Sequence, residues 1–218
     1  MGLISTIQGL QTKIAPVSLL VVTKQRQKKE VEEVALSGIT AIGENKLQEI
    51  EEKYDDRLFH LLVQQGVKLH FLGHVQRNKV KKIVRLCDVI QSVDSFQIAK
   101  KISEAAAELK KTMPIFLQLN LTNEPKKYGV KSEALNELVP KIRQLPGVQL
   151  LGFMTMGKEG NLKATRRVFR ECNLLRLKYG VSEVSMGMSE DFEIALEEGA
   201  TMVRLGSRIF SSCESSSS

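Results

Sequence analysis

Short apolar runs alternate with longer amphipathic segments along almost the whole chain. The runs cover residues 17–22, 40–43, 69–73, 89–93, 115–119, 150–154, 183–186 and 202–205. Several are rich in Val and Ile, as strands buried on both faces tend to be. Helical patterns lie between them, over 29–37, 45–54, 78–86, 95–111, 132–145, 161–179 and 190–198. Gly38, Gly180 and Gly199 stand where helices should stop. Ser95, Ser132 and Ser189 are expected N-caps, with acidic residues soon after the last two. Eight strands with helices between them predict an α/β fold, a single (β/α)8 TIM barrel. The open doubly wound alternative has no GxGxxG and no GxxxxGK[ST] to support it. No linker-like stretch divides the chain, so residues 1–210 are read as one barrel and 211–218 as a disordered Ser-rich tail.

Composition narrows the function classes. At 218 residues, 42% hydrophobic and 26% charged, the chain is neither a disordered nor a disulfide-stapled type. Its longest apolar run is too short to span a bilayer. Cys87, Cys172 and Cys213 form no CxxC pair and no metal-ligand spacing, which predicts reduced thiols. His60, His70 and His74 do not make a zinc site. The N-terminus lacks a secretory signal pattern, and the formal myristoylation match of Met1-Gly2 with Thr6 is short enough to arise by chance. The expected compartment is the cytoplasm. The net charge of +7 allows either a nucleic-acid footprint or a field around an anionic ligand. Lys79, Lys81, Lys82 and Arg85 would carry the first reading, but aromatics are 5% and tryptophan is absent, so this segment is read as the solvated face of a helix.

Active sites in (β/α)8 barrels gather at the carboxyl ends of the strands. Those ends carry Lys24, Glu44-Asn45, His70 with His74, Asp94, Asn120, Thr155, Ser185 with Ser189, and Arg204. An apolar barrel is therefore expected to open onto a ring of polar groups, as small-ligand pockets do. Lys24 follows directly on the first apolar run. Partial desolvation there would disfavour the ammonium form and leave an amine able to form a Schiff base with an aldehyde. The segments Ser185-Met186-Gly187-Met188-Ser189 and Arg204-Leu205-Gly206-Ser207 follow strands seven and eight. That is the usual phosphate position of a barrel, here expected opposite the lysine, with glycines for close backbone approach and serine hydroxyls as donors. Pyridoxal 5′-phosphate (PLP) has both an aldehyde for a lysine and a phosphate for such a nest.

The same residues carry a resemblance. Leu20-Val21-Val22-Thr23-Lys24, Gly43-Glu44-Asn45 with Gln48-Glu49, and His70-Phe71-Leu72-Gly73-His74-Val75-Gln76 with Asn78-Lys79 occur in order. Gln118-Leu119-Asn120 with Lys127 and Gly129, Leu151-Gly152-Phe153-Met154, Ser185 to Ser189 with Asp191, and Met202 to Ser207 with Ile209-Phe210 follow. From about residue 15 to 210 the chain resembles the pyridoxal phosphate homeostasis proteins, whose fold-type III PLP barrel is related to that of alanine racemase. The resemblance implies that Lys24 is the Schiff-base lysine, and that Ser189, Gly206 and Ser207 hold the cofactor phosphate. It further implies that Arg204 faces the pyridine nitrogen and weakens the ring as an electron sink, and that Asn45 lies at the pocket rim. Lys46 stands where the family often has an aromatic residue, and Tyr128 where a small residue or His is common; both would alter only the rim.

The expected function is PLP binding in intracellular vitamin B6 homeostasis, without robust catalysis. The alternative is a PLP-dependent racemase or lyase, for which no second acid/base group opposite Lys24 is evident. A racemase also carries a β-rich domain after its barrel that supplies a catalytic tyrosine, and this sequence stops soon after the eighth run. The expected partners are PLP and PLP-requiring apoenzymes, with no nucleic acid, no membrane and a monomeric chain.

Overall fold

The computed structural model describes residues 2–122, 124 and 128–214. Eight parallel strands close into one barrel in sequence order: β1 (Ser18–Val22), β2 (Ala41–Glu44), β3 (Lys68–Phe71), β4 (Val89–Val93), β5 (Met113–Gln118), β6 (Val148–Met154), β7 (Glu183–Ser185) and β8 (Met202–Leu205). Closure is made by β8 lying beside β1, with Leu20 paired to Arg204 and Val21 to Leu205. The expected (β/α)8 architecture is the observed one.

The helices are α1 (Leu3–Ile14), α2 (Lys28–Ala35), α3 (Leu47–Lys53), α4 (Asp56–Gln64), α5 (Val80–Leu86), α6 (Phe96–Glu108), α7 (Leu135–Arg143), α8 (Leu162–Tyr179), α9 (Phe192–Glu197) and α10 (Ser207–Glu214). Three of them, α1, α4 and α10, are absent from the sequence-based expectation. α4 begins at a cap the sequence does contain: the Asp55 carboxylate accepts the Leu58 N–H. Ser95 caps α6 as expected, accepting from the Ile98 N–H. Ser132 does not cap; it opens a 3-10 turn that leads into α7. Ser189 does not cap α9 either, because that helix starts at Phe192 and the Ser189 hydroxyl serves α10 instead. α10 also corrects the tail reading, since residues 211–214 are helical; 215–218 lie outside the described residues.

The main core fills the layer between strands and helices, with Leu19, Val21, Ile42, Ile90, Ile115, Val184 and Val203 facing outward from the sheet. Inside the barrel two smaller apolar groups form, one around Leu20, Ala41 and Met202 and the other around Val89, Phe116 and Met154. This division follows the two-residue alternation of strands. On the surface of α5, Lys81 pairs with Glu108 at 2.6 Å and Lys82 with Glu51 at 2.7 Å, which interrupts the basic stripe. Among the described residues no helix is long and apolar enough to cross a membrane.

Candidate functional site

The closed barrel sorts the strand-end residues by face. Leu20 and Val22 point inward, and Lys24 continues their parity in the turn just past β1, where it is exposed. Protein atoms do not supply the desolvation expected of this lysine. Asn45 continues the inward parity of Ala41 and Gly43, and its Oδ1 is shielded from solvent with no hydrogen-bond partner. Gly73 packs on the Asn45 backbone so closely that a Cβ at 73 would stand 1.9 Å from the Asn45 carbonyl oxygen. That contact fixes the rim on the β2–β3 side.

Glu44 has the opposite parity and is fully buried on the helix side. Its Oε1 accepts from Thr23 Oγ1 at 2.8 Å, Lys53 Nζ at 2.7 Å and Tyr54 Oη at 3.0 Å. Burial pushes the Tyr54 phenol well above its usual range, and the neighbouring Glu44 charge adds to the effect. This cluster belongs to the support of the site rather than to its mouth.

The barrel interior is not uniformly apolar, contrary to expectation. Arg204, buried at the end of β8, donates to Ser185 Oγ at 2.8 Å and to the Thr155 carbonyl at 3.0 Å. Ser185 Oγ donates in turn to Gln91 Oε1 at 2.7 Å, and Gln91 Nε2 meets His70 Nδ1 at 2.8 Å. The result is a hydrogen-bond chain across the barrel from a cation to an imidazole lone pair, and it requires the tautomer of His70 that is protonated at Nε2. Burial lowers the His70 pKa to about 3, so the ring is neutral. Burial also lowers Arg204 to about 10, against the opposing pull of Asp191, so the guanidinium stays charged at neutral pH. His70 is thus a hydrogen-bonded interior residue, not a mouth residue.

The loops after β7 and β8 meet each other. Ser207 Oγ donates to Ser189 Oγ at 2.9 Å, and Ser189 Oγ accepts the Arg208 N–H at 3.3 Å. Both hydroxyls therefore sit on the first turn of α10, where the helix field favours an anion. Gly206 lies against β1, and a Cβ there would meet the Val22 carbonyl oxygen at 3.0 Å. Gly187 adopts φ +91° under α9, where a Cβ would meet the Ala195 side chain at 2.5 Å. Lys24 and Ser207 follow neighbouring strands, β1 and β8, and Ser189 follows β7 beside β8; the lysine and the serines do not stand opposite each other across the barrel as expected, because barrel closure places the last strand beside the first.

On the far rim, His74 lies 3.5 Å from Asp94 and stacks on Tyr128, with ring centroids 4.0 Å apart. Lys127 lies outside the described residues. Among the described residues no three His, Cys, Asp or Glu side chains converge as a metal site. Burial pushes the Cys87 thiol far up and Cys172 up to about 12, consistent with inert reduced thiols. Sequence reasoning missed Gln91 and Lys53. Gln91 had a signal, a long polar side chain at the centre of an apolar run; Lys53 had none.

The lysine beside a serine-lined helix start, an unpartnered amide oxygen and a buried guanidinium suit a small anionic ring compound with a carbonyl group. The family model for the alanine racemase N-terminal domain matches residues 3–213. A pyridoxal phosphate homeostasis protein of Aquifex aeolicus is 36% identical over 180 residues, covering 79% of this chain and 77% of that protein. One of Pseudomonas aeruginosa is 34% identical, covering 90% and 84%. The solved structure of PipY from Synechococcus elongatus with PLP bound is 30% identical with a TM-score of 0.86, covering 96% of this chain and 100% of that one. Alanine racemase from Corynebacterium glutamicum shares the fold at 16% identity and a TM-score of 0.75; the match covers 95% of this chain and 59% of the racemase.

Proposed function

The chain belongs to the alanine racemase N-terminal domain family, among its pyridoxal phosphate homeostasis proteins, and on that premise we propose that it binds PLP at the carboxyl mouth of its barrel. The observation that carries this reading is the adjacency of β1 and β8, which brings Lys24 beside Gly206, Ser207 and Ser189. Lys24 would be the amine that holds PLP covalently, the chemistry PLP would supply when bound being that of its aldehyde. Ser189, Ser207 and the Gly206 backbone would hold the phosphate at the start of α10. The unpartnered Asn45 Oδ1 offers an acceptor at the rim. Arg204 would present a fixed cation to the ring nitrogen and keep it unprotonated, which disfavours carbanion chemistry.

On this reading the protein holds PLP in vitamin B6 homeostasis in the cytoplasm without robust turnover of its own, with PLP-requiring apoenzymes as its expected partners and the monomer as its expected state. Purified protein should be yellow, lose the colour on borohydride treatment, and carry the reduced label on Lys24 by peptide mass. Lys24→Ala should be colourless; a variant that still took the label covalently in the barrel would overturn the assignment. Steady exchange of an amino-acid Cα proton for deuterium in the holo-protein would favour a racemase or lyase instead.

A further inference from the structure

α3 grips the turn of Lys24 on both sides, and the role inferred for that grip rests on the reading of Lys24 as the PLP-holding amine. On the amino side, the Thr23 hydroxyl donates to Glu44 at 2.8 Å, and the Thr23 carbonyl accepts from Lys53 Nζ at 2.9 Å. On the carboxyl side, the Gln25 N–H donates to Glu49 Oε2 at 2.6 Å. Lys53 Nζ closes the grip by contacting Glu44 Oε1 at 2.7 Å and Glu49 Oε2 at 3.2 Å.

Gln25 adopts φ +61°, one of two non-glycine residues with positive φ among those described. A side chain in the left-handed region is disfavoured by sterics, and an exposed glutamine brings no packing of its own to hold it there. Two hydrogen bonds oppose the strain: the Arg26 N–H donates to the Thr23 carbonyl at 3.1 Å and closes the turn, and the Gln25 N–H is held by the Glu49 side chain. Burial alone would raise the Glu49 carboxyl, but the Gln25 N–H and Lys53 outweigh it and hold the carboxyl below its usual range.

We propose that Glu49, locked by Lys53, is a positioning residue for Lys24: it keeps residue 25 left-handed and thereby sets the direction in which the Lys24 amine leaves β1. Glu49 touches neither the ring nor the phosphate in this reading and acts only through the turn.

The test is PLP titration of cofactor-stripped protein, read as visible absorbance and as borohydride-fixed label on Lys24, beside a thermal melt. Glu49→Ala should weaken capture roughly ten-fold or more, the scale of one charge-assisted hydrogen bond. Adding Gln25→Gly should recover most of that loss, because glycine adopts positive φ without the steric cost. Should Glu49→Ala be insoluble, Glu49→Gln carries the same test, with a smaller loss recovered by the same glycine. A merely structural role would lower the melting temperature without rescue of capture by glycine. Wild-type protein that takes no PLP on Lys24 overturns the functional reading itself. Wild type that does, with Glu49→Ala equal to it or unrescued by Gln25→Gly, overturns only the role of Glu49.

Discussion

His70 is the interior residue with a consequence that can be measured in solution. Its pKa is about 3 in the fold and near 6.5 when unfolded. Unfolding therefore takes up a proton once the pH falls below 6.5, so the stability that comes from keeping the ring neutral is complete above that pH and is lost as the pH drops toward 3. The loss approaches about 1.4 kcal/mol per pH unit well inside that window. Urea midpoints measured from pH 7 down to 4.5 should fall in the parent and stay flatter in His70→Gln, the comparison cancelling the groups common to both. Equal slopes would mean that His70 is solvated or charged in the fold. The signal for His70 itself was only a histidine next to a strand; the alternation of β3 turns it inward, and Gln91 on the neighbouring strand, the one long polar side chain in the run 89–93, gives its ring a partner there.

Among the elements, α10 shows how composition misleads. Its serines suggested a tail, yet Ile209 and Phe210 are buried and anchor a helix whose first turn carries Ser207 and meets Ser189. Replacing both serines with alanine should weaken PLP binding roughly 10- to 100-fold, the range for hydrogen bonds to a charged group. Pyridoxal, which has no phosphate, should bind the parent and the double variant alike; parallel titrations with the two ligands check this. The other unexpected helices had the right spacing in plain view, Leu3, Ile7 and Ile14 in α1 and Leu58 and Leu62 in α4, all buried. Both lie on the outer layer and leave the strand ends unchanged. Polar caps were less readable, because a serine before acidic residues can serve a different helix, as Ser189 does.

For the whole molecule the decisive event is closure of the sheet. Close strand contact depends on residues such as Gly152, where a Cβ would stand 2.0 Å from the Glu183 carbonyl oxygen on β7. Gly152→Ala should push β6 and β7 apart and cost about 1–3 kcal/mol or more, seen as a lowered urea midpoint or as insoluble protein; an unchanged midpoint would show that the seam can yield. The sequence by itself determined the eight strands and their order, seven of the ten described helices, and the identities of Lys24, Asn45, Ser189, Arg204, Gly206 and Ser207 as strand-end residues, since apolar periodicity and motif spacing are local properties of the chain. Only the tertiary structure decided that β8 lies beside β1, that Arg204 reaches His70 through Ser185 and Gln91, and that Glu49 and Lys53 grip the turn of Lys24. Those relations join residues far apart in sequence, and they come into being when the barrel closes and each strand's alternation is fixed as inward or outward.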